Sequence, residues 1–112
     1  VVMPTSHAPD RGDIVWLHFN PQSGHEQAGH RPALVLSPRE YNRRVGLALC
    51  CPMTSRSKGY PFAVPVKAGE VEGVVLADQL KSLDWQARDA RFAARVPDPV
   101  IEEVRAKLHT LI

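Results

Sequence analysis

The sequence predicts a mainly β domain, a small, strongly bent sheet or partly open barrel with one C-terminal helix. Three observations carry this. Short stretches rich in apolar, β-branched and aromatic residues recur between Gly and Pro turn signals. The apolar period becomes helical only after Asp98. And 112 residues have room for one core and little else, so the chain reads as a single domain over residues 1–112.

The elements follow in order. Asp13 to Phe19 comes after the turn signal Asp10-Arg11-Gly12 and reads as a strand. Asn20 to His30 is a polar, Gly-containing loop. Ala33 to Leu36 is a short apolar strand, buried on both faces. Ser37 and Pro38 suit the cap and first position of one short helical turn through Asn42. Leu47 to Pro52 is a third strand, and Thr54 to Tyr60 a polar loop. Phe62 to Val66 holds Pro65 and follows Pro61, which places it at a sheet edge or beside a bulge. Gly73 to Ala77 and Asp89 to Val96 supply further strands. At the C-terminus Asp98 can cap, Pro99 suits the first helical position, and Val100, Ile101, Val104, Leu108, Leu111 and Ile112 recur on one helical face. No internal repeat or low-complexity segment interrupts this order.

Composition narrows the function classes. Hydrophobic residues make up 44% and charged residues 23%, the balance of an ordinary globular protein. No apolar run approaches the length of a membrane span, and the first residues lack the pattern of a signal peptide, so a cytoplasmic location is expected. Cys50 and Cys51 are adjacent, so in a strand their side chains point to opposite faces and cannot staple distant segments. Residues 1–60 carry seven Lys or Arg against four acids, and the remainder seven against eight. That modest basic bias points only weakly to a polyanion partner.

The candidate chemistry gathers around Glu26-Gln27-Ala28-Gly29-His30-Arg31-Pro32, which puts a carboxylate, an amide, an imidazole and a guanidinium into seven residues. Gly29 allows a sharp turn, and Pro32 pushes Arg31 into extended backbone at the root of a strand. Arginine offers a planar fork of donors that matches phosphate oxygens. The competing role for Arg31 is an ion pair with Glu26 or Asp78. Thr54 and Ser55 can donate to a phosphate, with Arg56 and Lys58 adding charge, or simply close a turn. Histidine suits proton transfer near neutral pH, so His18 and His30 are candidates beside a plain packing role. Their spacing fits no metal-ligand pattern. Trp16 and Trp85 can stack on bases or fill a core. Neither a phosphate-cradling Gly-rich loop nor a Gly-x-Ser-x-Gly elbow occurs.

The sequence strongly resembles the MazF/PemK family of toxin endoribonucleases. The matching strings are Gly12 to Trp16, Glu26 to Pro32, Val35 to Pro38, Tyr41-Asn42, Pro52 to Thr54, Ser57 to Phe62, Leu76 to Gln79 and Lys81-Ser82, in the family's order. The resemblance implies an SH3-like barrel and a homodimer. It also implies sequence-specific, metal-independent cleavage of single-stranded RNA with no cofactor, and a MazE-like antitoxin that wraps the dimer. It places the family's catalytic arginine on Arg31 and its catalytic threonine on Thr54.

That chemistry suits the residues. RNA carries its own nucleophile, the 2′-hydroxyl, so the protein need only align it and stabilise the charge on phosphorus. The expected ends are a 2′,3′-cyclic phosphate and a 5′-hydroxyl. Glu26 or His30 could take the proton, since a guanidinium is a poor base. Phe19, Asn20, Gln27, Ser55, Arg56, Lys58 and Gln79 supply the ring, amides and charges that single-stranded RNA recognition uses. Proteins related to CcdB share this fold and bind gyrase without cutting anything. Their C-terminal tryptophan has no counterpart in Lys107 to Ile112.

Overall fold

The computed structural model describes residues 7–19, 30–55 and 59–112. Along them run β1 (Asp13–His18), β2 (His30–Val35), α1 (Arg39–Val45), β3 (Ala48–Thr54), β4 (Ala63–Ala68), β5 (Val71–Leu76), β6 (Lys81–Leu83), β7 (Arg91–Arg95) and α2 (Asp98–His109). The strands pair antiparallel in the order β4-β5-β3-β2-β1-β7, with β6 also on β3. The start of β3 pairs with β6 and its end with β5. The sheet curls into a half-barrel. β4 with its Pro65 lies at the edge, where a residue without an N–H costs no ladder bond.

Side-chain alternation gives the sheet a core on each face. Ile14, Leu34, Cys51, Met53 and Val75 meet Ile101 and Val104 of α2 on one face, while Val15, Ala33, Val35, Cys50, Leu83 and Trp85 pack on the other. Each fully buried aliphatic among them contributes roughly 1.5–3 kcal/mol. The adjacent cysteines divide between the two cores, as alternation requires. Burial is the main reason both thiols are pushed up to about 12.

A polar cluster ties the turn before β1 to α1. The Asn42 side-chain amide, fully buried, donates to the carbonyls of Pro9 at 2.7 Å and Ser37 at 3.0 Å, and the Asn42 backbone carbonyl accepts from the Trp85 indole at 2.9 Å. Arg95 pairs with buried Asp13 at 2.9 Å. Gly12 sits at φ +96, a conformation that strains any residue with a Cβ, and it packs closely under Ile101 of α2, so glycine suits this turn.

The boundaries differ from the sequence reading in physically explicable ways. β2 starts at His30, three residues early, because pairing with β1 extends through His18↔His30 and carries polar residues into the ladder. α1 is longer than one turn and is entered through Pro38 without a side-chain cap. The Ser37 hydroxyl instead donates to the Asn42 side chain and accepts from the Leu49 amide at 2.9 Å. Asp98 is already helical, with Pro97 at the cap position. Leu111 and Ile112 lie past the end of α2 and are exposed. Strand β6 escaped the sequence reading altogether, since Lys-Ser-Leu is too short to show a period.

Candidate active site

β3 ends at Thr54, and a cleft of about 350 Å³ surrounds that end. It is lined by Trp16, His30, Arg31, Pro32, Met53, Thr54, Ser55 and Glu70 to Gly73. The topology explains why it opens here. Pairing of β2 with β3 stops at Ala33↔Pro52, and neither Pro32 nor Pro52 has an N–H to carry the ladder on. Two residues further along that register, Arg31 and Thr54 stand at corresponding positions. Residues 23 apart in sequence thus reach one cleft, whose size is at the lower end for small-ligand sites.

Arg31 is extended, as Pro32 demands, and pairs with Leu17 of β1. Its guanidinium carbon lies 5.9 Å from the centroid of the Phe19 ring, a cation–π contact that holds the fork without consuming its charge. Among the described residues Arg31 makes no ion pair. Asp78, one of its two candidate partners, accepts a hydrogen bond from the Tyr60 hydroxyl instead, and that bond raises the Tyr60 pKa.

Thr54 pairs with Val74, and its backbone is approached by Gly73. A Cβ on Gly73 would stand 2.7 Å from the Thr54 carbonyl oxygen, so only glycine lets β5 lie this close. Beside Arg31, His30 is half-buried, and its Nε2 has no hydrogen-bond partner among the described residues. Its ring lies 3.8 Å from that of His18, and the Nε2 atoms of both are 4.0 Å from Asp89 Oδ2.

The cleft thus gathers Arg31, Thr54, His30 and Ser55, while Phe19 supports it from beneath Arg31. Gln79 lies elsewhere, exposed just after β5 with its backbone N–H donating to the Leu76 carbonyl at 3.1 Å, and it does not line the cleft. Glu26, Gln27, Asn20, Arg56 and Lys58 fall outside the described residues.

Trp16 was read in the sequence as either a base-stacking or a core ring, and three lining residues, Gly73, Glu70 and Glu72, went unread. Trp16 is 37% exposed between buried Val15 and Leu17, so alternation alone marks it as facing outward. Gly73 carried a signal as a glycine inside an apolar strand. Glu70 and Glu72 carried none. These residues make the cleft chemically mixed, with a cation that can take a phosphate, a ring that can take a base and carboxylates that can accept from exocyclic amines. Among the described residues, His18, His30 and Asp89 form a group close enough to hold a metal ion.

Comparison with known proteins converges on one family. A family described as the PemK-like, MazF-like toxin of type II toxin–antitoxin systems matches residues 10–112. The endoribonuclease toxin MazF of Escherichia coli K12 is 48% identical over 110 residues, covering 98% of this chain and 99% of its own length. The endoribonuclease toxin ChpB of the same organism is 39% identical, with coverages of 92% and 93%. Among solved structures, a MazE–MazF complex from Deinococcus radiodurans superposes with a TM-score of 0.86 at 57% identity, over 93% of this chain and 95% of the other.

Proposed function

The chain belongs to the PemK-like, MazF-like toxins of type II toxin–antitoxin systems and is an endoribonuclease, and from that membership we propose that it cuts single-stranded RNA at preferred sequences without a metal ion, with Arg31 and Thr54 as its catalytic pair. The observation that supports this reading is their shared place on one cleft, with Arg31 held over Phe19 and free of any ion pair among the described residues. The gyrase-binding alternative is not favoured, since the family and the relatives are those of the nuclease.

In this reading the 2′-hydroxyl loses its proton and attacks the adjacent phosphorus while the bond from phosphorus to the 5′-oxygen breaks, that oxygen leaving as a protonated 5′-hydroxyl. Arg31 grips the non-bridging oxygens through two N–H donors, and the Thr54 hydroxyl donates a third hydrogen bond as charge builds. His30, facing the same cleft, is placed to move a proton, a task shared with or left to Glu26. Trp16 stacks on a base, and Ser55, Glu70 and Glu72 meet polar edges. Phe19 acts through Arg31; Asn20, Gln27, Arg56, Lys58 and Gln79 complete the proposed RNA surface. The domain spans residues 1–112, works as a cytoplasmic homodimer and is neutralised by a MazE-like antitoxin, the partner in the related complex. The test is digestion of a long single-stranded RNA in excess EDTA, with cuts mapped to the nucleotide and ends examined. Discrete cuts leaving 2′,3′-cyclic phosphates are expected; uncut RNA would refute the proposal.

A further inference from the structure

We propose that His18, His30 and Asp89 form a binding site for one late first-row divalent cation of the Zn²⁺ type. The three ligand atoms lie within 4.8 Å of one another, with both imidazole Nε2 atoms 4.0 Å from the same carboxylate oxygen. Tetrahedral zinc with bonds near ~2.05 Å asks for donors about 3.3 Å apart. The side chains can close that difference by rotation, since they are 51%, 32% and 48% exposed.

The backbone beneath them is fixed. His18 and His30 are directly paired across β1 and β2. Asp89 is held at φ +53 in a turn that is tied to β1, the His18 amide donating to the Arg88 carbonyl at 2.9 Å and Arg88 Nη1 to the His18 carbonyl at 3.2 Å. A non-glycine residue at positive φ is uncommon, and here it aims a carboxylate at two imidazoles. The Nε2 of His30, which has no hydrogen-bond partner among the described residues, gains a ligand bond. Arg91 Nε, 3.1 Å from Asp89 Oδ2, goes on donating to the ligating carboxylate, as outer partners of metal sites do.

Two imidazoles, one carboxylate and an open fourth position suit Zn²⁺ and its neighbours rather than Mg²⁺ or Ca²⁺, which prefer oxygen throughout. The cation is not the reaction's Lewis acid. When bound it anchors His30, one residue from Arg31, leaves proton transfer to Glu26, and adds fixed positive charge beside the cleft. The site needs no RNA chemistry to exist, so its test is independent of the nuclease reading.

The test is equilibrium dialysis of the chelator-stripped full chain against Co²⁺, with visible absorption as a report of coordination. One equivalent per chain is expected, uncontested by excess Mg²⁺. Affinity falls at least about 10-fold in His18→Ala and in Asp89→Gly, and stays at the wild-type level in His109→Ala on α2. Asp89→Gly removes the carboxylate while suiting the positive φ, and His18→Ala changes an exposed strand position, so both variants keep the fold. Absence of stoichiometric binding, or binding that survives either substitution, overturns the site.

Discussion

Adding one methyl group at Gly73 tests how tightly the cleft depends on its backbone. Gly73 has no left-handed φ, so Gly73→Ala adopts the same backbone and only space is at issue. The new Cβ would stand 2.7 Å from the Thr54 carbonyl oxygen, 3.4 Å from its carbonyl carbon and 3.8 Å from Met53 Cε. Ordinary contact begins near 3.4 Å, so β5 and the end of β3 must part by about 0.7 Å, the difference between 3.4 and 2.7. A backbone carbonyl cannot swing aside as a side-chain tip can, so Thr54 moves with it. Overpacking of this kind costs about 1–3 kcal/mol of stability, and a shift near 1 Å in a catalytic group costs about 10²-fold in rate. The expected result is a 10- to 100-fold loss in single-turnover RNA cleavage, about as scaled by that rule, at a temperature where circular dichroism reports a folded protein. Val104→Ala is the control, because it cuts a fully buried α2 side chain that does not line the cleft and lowers stability by about 2 kcal/mol. Equal rates for Gly73→Ala and wild type would refute the reasoning, as would equal losses in Gly73→Ala and Val104→Ala.

Other expectations follow from the same geometry. Trp16→Ala should weaken single-stranded RNA binding by about 1–3 kcal/mol, read by fluorescence anisotropy, with less effect on the rate of bound substrate. Asn42→Ala leaves the Pro9 and Ser37 carbonyls without their donor and should cost about 2–4 kcal/mol in urea unfolding. The two thiols predict an alkaline limit. Their folded pKa values lie near 12 against 9.0 for an ordinary thiol, so the unfolded chain loses protons first. Their contribution is whole below pH 9 and is lost as pH rises toward 12; melting temperatures should fall across that window, less steeply in the Cys50→Ala/Cys51→Ala double variant. Below pH 9 neither thiol should react with a disulfide reagent until the protein unfolds.

How much of this was legible in the sequence depends on the range of the interaction. The split of Cys50 and Cys51 between two cores follows from alternation alone and matches the structure. The edge position of Pro65 follows from its missing donor. The placement of Arg31 on a strand follows from Pro32. By contrast, Ser37 has the chemistry of a helix cap but is drawn to Asn42 and Leu49, partners that only the tertiary fold supplies. Trp16 was ambiguous because the same ring serves a core or a groove, and Trp85, its counterpart, is indeed buried. Glu70 and Glu72 enter the cleft through the curl of the sheet, which no local pattern encodes. His18, His30 and Asp89 match no ligand spacing along the chain, yet a cross-strand pair and one tied turn bring them together.

The pairing of Arg31 with Thr54 is the centre of this account. It is tested most directly by single-turnover cleavage of one defined RNA oligonucleotide by wild type, Arg31→Ala and Thr54→Ala in EDTA, with RNA affinity measured in parallel. The account predicts that each variant, still folded, loses at least about 10²-fold in rate, as removal of a transition-state donor does, with a much smaller change in affinity. Cleavage by either variant at the wild-type rate would contradict it.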